Sequence, residues 1–457
     1  MDRRTVLRAG LAGTGLLGLN AEVKAAPSGS EPEISIADTS DVVVCGAGPA
    51  GVAAALAAAR LGAKVRLIES AGCLGGVWTV GLLCWILDTK DKPGILHEIM
   101  SEMQRRQAGY VSRPGYSFGY DAEIMKVLLE ELCGKAGVDF QLHTQVVSAV
   151  TDRDRNLSLA LTESKSGRQA WQGKVFIDAT GDGDLAARAG CDFDLGRPQD
   201  GATQPMSMMA ILTGVEHKRI EEFVLDNRRP HYVPKDLLRA EIERGGHDPS
   251  YDKPTLFRVH DNLFCLASNH EYGYLPTDAA QITKATVHAR AEIHRIVNAL
   301  RSLGGVWKDL RVVATNEHIG VREGRRIHGL YTVSTEDLKQ GMQHEDGICR
   351  VYFGVDVHSP KQEEGRGIAR SNVRVSSYDI PLRALIATDV KRLLLAGRCI
   401  SGDFIAHSSY RVTGNAVATG QAAGVAAALA AKENCLPEKL PWEKIENALS
   451  RFDAEIS

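Results

Sequence analysis

No C-x-x-C pair occurs among the nine cysteines of this 457-residue chain, and their positions are scattered. That argues against an iron–sulfur cluster or a zinc ribbon and leaves most of them as small buried hydrophobes. Excess positive charge is also missing: a net charge of −3 supplies no dense basic face for nucleic acid or an anionic membrane surface, and neither is expected as a partner. The histidines lack close ligand spacing outside Asp356-Val-His358, so no metal is expected. The apolar run from Ala9 to Leu19 is too short to span a bilayer, so stable membrane insertion is not expected either. What remains, 44% hydrophobic and 24% charged residues, is the composition of a globular enzyme of two or three domains.

The positive signal is Asp41-Val-Val-Val-Cys-Gly-Ala-Gly-Pro-Ala-Gly51, an apolar run that stops at Gly46, Gly48 and Gly51 with an Ala-rich helical pattern from Pro49 to Leu61 behind it. It reads as strand, tight turn, helix. Gly46 permits the turn, Gly48 lets backbone approach a pyrophosphate, and Gly51 lets the helix pack on the strand, while the N–H groups of a helix beginning at Pro49 and Ala50 face the anion. A second apolar run, Ala63 to Ile68, ends in Glu69 with Ser70 beside it. A carboxylate there accepts both hydroxyls of an unphosphorylated ribose, so the expected ligand is a dinucleotide.

At the N-terminus, Asp2-Arg-Arg-Thr-Val-Leu-Arg8, the apolar stretch and the small residues Ala25 and Ala26 form the pattern of a twin-arginine export signal over residues 1–30. A disordered linker rich in Ser, Pro and Glu is expected over 31–40. The implied location is periplasmic or secreted, by a route suited to a protein whose cofactor is inserted before export.

Glycine-punctuated α/β character recurs in three distant stretches. The expected fold is α/β, with a discontinuous Rossmann-like domain over 41–91, 138–203 and 386–457, a helical insert over 92–137, and an α+β substrate or cap domain over 204–385 containing a helix from Asp278 to Leu303. Val138 to Val146 reads as a strand, a stretch ending near Leu161 as its antiparallel continuation, and Lys174 to Asp178 as a buried strand entering the turn Ala179-Thr-Gly-Asp-Gly-Asp184. There Thr180, Gly181 and Asp182 bring a second backbone segment close to the dinucleotide, Asp182 bonding backbone N–H groups. Lys391 to Ala396 reads as another buried strand, and Gly414, Asn415 and Ala416 open a helix with a positive N-terminal end.

Cys73-Leu-Gly-Gly76, Thr180-Gly-Asp-Gly-Asp184, Arg322-Glu-Gly-Arg-Arg-Ile327, Asp356-Val-His358, Ala396-Gly-Arg398 and Gly420-Gln-Ala-Ala-Gly424 together carry a family likeness. The chain resembles the FAD-dependent oxidoreductases of the glutathione reductase superfamily over nearly all of its mature length. The resemblance implies FAD as cofactor and a Rossmann-like FAD/NAD(P)-binding domain of the glutathione reductase 2 type. By the same resemblance Gly75 and Gly76 pass the flavin diphosphate and ring, main-chain atoms of Val146 meet adenine, Asp182 can also bond ribityl hydroxyls, Gly397 belongs to a second anchor, and the positive end of the helix opened by Gly414, Asn415 and Ala416 can face the flavin pyrimidine. No Cys-x-x-x-x-Cys occurs, and the one other G-x-G-x-x-G, Gly13 to Gly18, falls within the expected export signal. This disfavours a pyridine nucleotide–disulfide reductase and leaves the electron acceptor open among oxygen, a quinone or another external carrier.

His407-Ser-Ser-Tyr-Arg411, ahead of Gly414-Asn415, is similar to the H-x-x-x-R … G-N segment of fumarate reductase-like flavoproteins, which implies Arg411 against a substrate carboxylate and His407 as a proton donor or orienting group. Alternation along a strand would set Asp356 and His358 on one face, the carboxylate orienting a catalytic imidazole; a packed polar pair is the alternative. Arg322, Arg325 and Arg326 with Glu323 form a basic cluster that reads as a solvated, self-paired surface, with binding of an anionic substrate as the alternative. Arg398 stands where fumarate reductase-like proteins carry an acid, so their substrate chemistry does not transfer wholesale. The expected activity is hydride transfer between flavin N5 and a small organic substrate, a carboxylate among the candidates. A flavin-dependent isomerase or hydratase, and a non-catalytic binding protein of the same fold, are the rivals.

Overall fold

Four consecutive apolar residues, Val42 to Cys45, have no solvent exposure and end β1 (Ile36–Cys45). A strand buried on both faces belongs in the middle of a parallel sheet, and the computed structural model, which describes residues 34–225, 230–369 and 372–456, puts it there. β1 lies parallel to β2 (Val65–Ile68) on one side and to β6 (Gly167–Asp178) on the other. The seven-stranded order is β3 (Asp139–Gln141), β2, β1, β6, β5 (Leu157–Ser164), β4 (Gln145–Thr151), with β7 (Leu393–Leu395) parallel to the end of β6. β4, β5 and β6 form an antiparallel meander.

The proposed export signal lies outside the described residues. The expected linker is corrected at its end: Ile36 to Ser40 pair with Ala170 to Gly173 of β6, and Asp38 holds Lys64 at 2.6 Å and Arg66 at 3.0 Å, so a segment that reads as disordered is strand. The single strand expected from Val138 to Val146 is two, broken at His143, where φ is +53°. The 92–137 stretch carries its helices, Ile95–Arg105 and Ala122–Lys135, but between them runs an antiparallel pair, Gly109–Arg113 with Ser117–Tyr120.

Two nearly all-buried helices cross the sheet. α1 (Pro49–Arg60) packs on α2 (Thr413–Glu433) through Gly420 and Gly424, where an added Cβ would lie 2.1 Å from the Ala50 carbonyl oxygen and 2.2 Å from that of Ala54. Backbone meets backbone there, and no side chain can yield. Gly424→Val should therefore cost about 3 kcal/mol or more, read as a fall in midpoint on chemical denaturation; an unchanged midpoint would contradict this packing.

A second hydrophobic core, drawn from residues 206–321, sits on a four-stranded antiparallel sheet ordered Thr255–His260, Leu263–Ala267, Met209–Thr213, Arg311–Thr315, covered by the helices Tyr232–Arg244 and Ala279–Ser302. This is the inserted α+β unit. Apolar residues of 327–386 join the first core instead, so the stretch 204–385 divides between the two. All nine cysteines are free thiols, seven of them buried. Among the described residues no helix is long and apolar enough to cross a membrane.

Candidate functional site

At the end of β1, Gly46 adopts φ +91°, and a Cβ on it would lie 2.5 Å from the Ala179 carbonyl oxygen; one on Gly51 would lie 1.8 Å from the Gly46 oxygen. Gly48 differs: its backbone is extended (φ −66°, ψ −175°) and nothing lies within 4 Å of its Cβ position. It caps α1 without any side-chain hydrogen bond to the helix N-terminus, which leaves the first N–H groups of the helix for an anion. Gly76 lies directly over it, its own Cβ position 2.9 Å from the Gly48 Cα, and Gly75 N–H donates to the Ala47 carbonyl at 2.7 Å. Glu69, buried, accepts from Ala47 N–H at 2.7 Å, from Ala71 N–H at 2.8 Å and from the Ser70 hydroxyl at 3.1 Å, which holds the two loops together. Val146 lies in β4 opposite Thr162.

The second glycine turn meets the first through Ala179. Thr180 is an internal brace, donating its hydroxyl to Asp178 at 2.7 Å and accepting from Asp184 N–H at 2.8 Å. Gly181 (φ +83°) makes room for Arg398, whose Nη2 lies 2.8 Å from the Asp182 carboxylate. Sequence reasoning treated Arg398 as a departure and Asp182 as a ligand to backbone or ribityl groups; in the structure the two form one ion pair. Gly397 (φ +80°) sits against Ala50, which links this turn to α1.

α2 begins beside the same turns. A Cβ on Gly414 would strike the carbonyl oxygens of Asp88, at 2.1 Å, and Leu87, at 2.5 Å, so this glycine serves the close approach of the chain's own backbone. Asn415 is fully buried, yet its Nδ2 has no hydrogen-bond partner, and the Thr413 hydroxyl and Arg398 Nε are likewise unpartnered; Ala416 is next in line. An open glycine at one helix start and unmatched polar groups at another are what a dinucleotide with a polar ring system satisfies, and the residues present fit FAD.

His407 has no solvent exposure, and neither ring nitrogen has a hydrogen-bond partner. Burial first, then the charges of Arg411, Arg326 and Arg398, hold its pKa well below 6.5, against only the Arg398 main chain. The expectation of a proton donor is corrected: the ring stays neutral. Its unfolded pKa of 6.5 lies above the folded one, so its contribution to stability is intact above pH 6.5 and lost progressively as pH falls from there through the folded value. His407→Phe should remove that loss, flattening the decline in stability between neutrality and mild acid by about 1.4 kcal/mol per pH unit. Denaturation curves at several pH values check it, and parallel declines in the two proteins would refute it.

Arg411 is fixed by the protein itself. Its Nη2 donates to the Asp356 carbonyl at 2.6 Å and to Gln204 Oε1 at 3.1 Å, and Nη1 to the Arg322 carbonyl at 3.2 Å. Burial lowers its pKa to about 10, so it stays charged at neutral pH. The fork expected to hold a substrate carboxylate thus already grips the chain, and Arg411 is a positioning residue. Nor is the Arg322–Arg326 segment a solvated surface: Glu323 and Arg326 are 1% and 2% exposed and pair at 2.5 Å, because the segment crosses between the two cores.

What Arg411 positions is a polar cluster. The Asp356 carboxylate lies 3.3 Å from His358 Nε2, His358 Nδ1 lies 2.9 Å from His270 Nε2, and His270 Nδ1 lies 3.0 Å from the Tyr272 hydroxyl. The Asp356–His358 pair therefore forms, on irregular chain rather than on a strand. Burial would raise the Asp356 pKa, but His358, Arg411 and Arg322 outweigh it and hold the carboxyl well below the usual range. Burial, then Arg322, brings His358 down to about 4 in spite of Asp356, and His270 is held well below its ordinary value by burial, Arg322 and His358. The Tyr251 ring covers His270 at 4.1 Å. Arg322 donates through Nη1 to the Pro205 carbonyl and the Ser207 hydroxyl, and the half-buried Lys235, its pKa lowered by desolvation, is close enough to Asp356 to feel its charge. The Asp356 side chain keeps 25% accessibility. Gln204, His270 and Tyr272 were not legible in the sequence, since His270 and His358 are 88 residues apart. Glu271, His288 and Glu292 bring ligand atoms within 4.8 Å of one another, but Ser250, Asn269 and His288 itself already satisfy the two carboxylates.

A family model described as FAD dependent oxidoreductase matches residues 41–449. No curated protein matches the sequence. Among solved structures, the chain is similar to a geranylgeranyl bacteriochlorophyll reductase-like protein from Thermoplasma acidophilum (12% identity, 92% of this chain and 83% of that one, TM-score 0.46). It is similar to a flavin-dependent brominase (12% identity, 91% and 84%, TM-score 0.47) and to p-nitrophenol 4-monooxygenase from Pseudomonas putida (12% identity, 92% and 86%, TM-score 0.46). At that distance none of them bears on what this chain turns over.

Proposed function

The chain belongs to the FAD dependent oxidoreductase family, and from that premise we propose that it oxidises or reduces a small organic substrate held between the flavin-binding turns and the 206–321 core. It is an FAD-dependent enzyme. Bound FAD supplies the two-electron chemistry. We assign its binding to 41–91, 138–203 and 386–457: the pyrophosphate to Gly48, Pro49, Ala50 and the loop Gly75–Gly76, the ribose to Glu69, and the ring end to Asn415 and Thr413. Substrate contacts fall to 204–385.

The observation that carries this reading is the Asp356–His358 pair, tied to the start of α2. Asp356 N–H donates to the Ser408 carbonyl at 3.1 Å, and Arg411, two residues before α2, binds the Asp356 carbonyl. An ionised carboxylate backed by a neutral imidazole is a proton acceptor, and in the reverse direction a donor, for the proton that accompanies a hydride. Arg322 and Lys235 supply positive charge beside the same carboxylate, which favours a substrate bearing a carboxylate. The test is anaerobic addition of hydroxy acids, amines and sugars to the purified holoenzyme while the flavin band is watched. Bleaching by a carboxylate-bearing compound is expected; turnover without any bleaching would favour a non-redox reaction. We also propose periplasmic or secreted location by the twin-arginine route, supported by Arg3 and Arg4. Replacing both by Lys should leave the protein in the cytoplasm.

A further inference from the structure

We propose that Asp356, His358, His270 and Tyr272 form a proton relay joining the partly accessible carboxylate of Asp356 to solvent at the partly exposed Tyr272. The inference rests on the functional reading above for its purpose, and on three consecutive contacts of 3.3, 2.9 and 3.0 Å for its existence.

Hydrogen-bond polarity follows from one end. An ionised Asp356 can only accept, so His358 carries its proton on Nε2. Its Nδ1 is then an acceptor, which requires His270 to donate from Nε2. His270 Nδ1 in turn accepts from the Tyr272 hydroxyl, for which the Ser250 carbonyl, at 3.3 Å, is the longer alternative. Every donor in the row points towards Asp356. The groups facing the row from other elements include Arg322, Arg411, Tyr251 and Lys235, with Asp252, Arg366 and Glu292 towards Tyr272; burial and the charges of Arg322 and Arg411 oppose a charged imidazole at His358, and burial and Arg322 at His270, so both rings rest neutral.

Transfer along the row balances. The His358 Nε2–H bond breaks as an Asp356 O–H forms; the His270 Nε2 proton passes to His358 Nδ1, the Tyr272 proton to His270 Nδ1, and water replaces the last. One proton has moved from solvent to Asp356, from which the substrate takes it, and both imidazoles now carry Nδ1–H. That second arrangement conducts the next proton outward and restores the first. The site therefore delivers a proton in the direction that reduces substrate and removes one in the direction that oxidises it, with Asp356 as the catalytic group and the two histidines as positioning and conducting residues.

The test needs no substrate. In the holoprotein with 15N-labelled histidine, near neutral pH, both rings are expected as the neutral Nε2–H tautomer, assigned through His270→Gln and His358→Gln. Exchange of the His270 and His358 ring protons with water should slow at least about tenfold in Tyr272→Phe, with thermal stability retained. An Nδ1–H or charged ring in the wild-type protein, or exchange indifferent to Tyr272→Phe, would overturn the relay. Flavin bleaching by substrate is a separate readout: if it succeeds while the tautomers are wrong, the relay alone falls.

Discussion

Gly48→Glu should purify as a folded, colourless protein. The Cβ position of Gly48 is open and its backbone is one that any residue adopts, so the substitution strains nothing in the chain itself. The new side chain and its negative charge would occupy the place where N–H groups of α1 await the pyrophosphate, and a loss of FAD affinity of at least a hundredfold, roughly 3 kcal/mol, is expected. Gly51→Ala makes the contrasting control, because its Cβ would lie 1.8 Å from the Gly46 carbonyl oxygen and the fold itself should suffer. Circular dichroism and FAD titration separate the two effects. If Gly48→Glu bound FAD as the wild type does, the cofactor would lie elsewhere.

Asp356→Asn should keep its FAD and lose most of its chemistry. Arg411 grips the main-chain carbonyl of residue 356, so the local chain keeps its anchor when the carboxylate goes. An amide cannot take up a proton, and it ends the row from His358 in a group that need not accept. Loss of a positioned acid–base group costs on the order of 10² to 10⁴ in rate, to be read as the rate of substrate-driven flavin bleaching at equal FAD content. A rate within a factor of about three of wild type would remove Asp356 from the reaction.

How much of this was legible in the sequence follows from how local each feature is. The first turn was readable because strand, glycines, helix and Glu69 all lie within about thirty residues and each obeys a backbone rule. Gly414 was legible as the opening of a helix, but not that its missing Cβ admits the carbonyls of Leu87 and Asp88 from a strand more than three hundred positions earlier. Arg411 was placed correctly beside the start of α2 and given the wrong partner, since nothing local reveals that Gln204 and two main-chain carbonyls already occupy its fork. The Arg322–Arg326 segment was misjudged for the same reason: a run of charges usually means solvent, and only the packing of two cores around it shows Glu323 and Arg326 to be buried together. Asp182 with Arg398, and His358 with His270, are partnerships made by topology, for which no single-sequence signal exists.

Distant segments of the chain are expected to close around one flavin. The most direct measurement is the visible absorption spectrum of the purified protein, with its cofactor released by denaturation and quantified. One FAD per folded chain is the predicted result; a folded protein that is colourless and gains no flavin absorbance when FAD is added would contradict it.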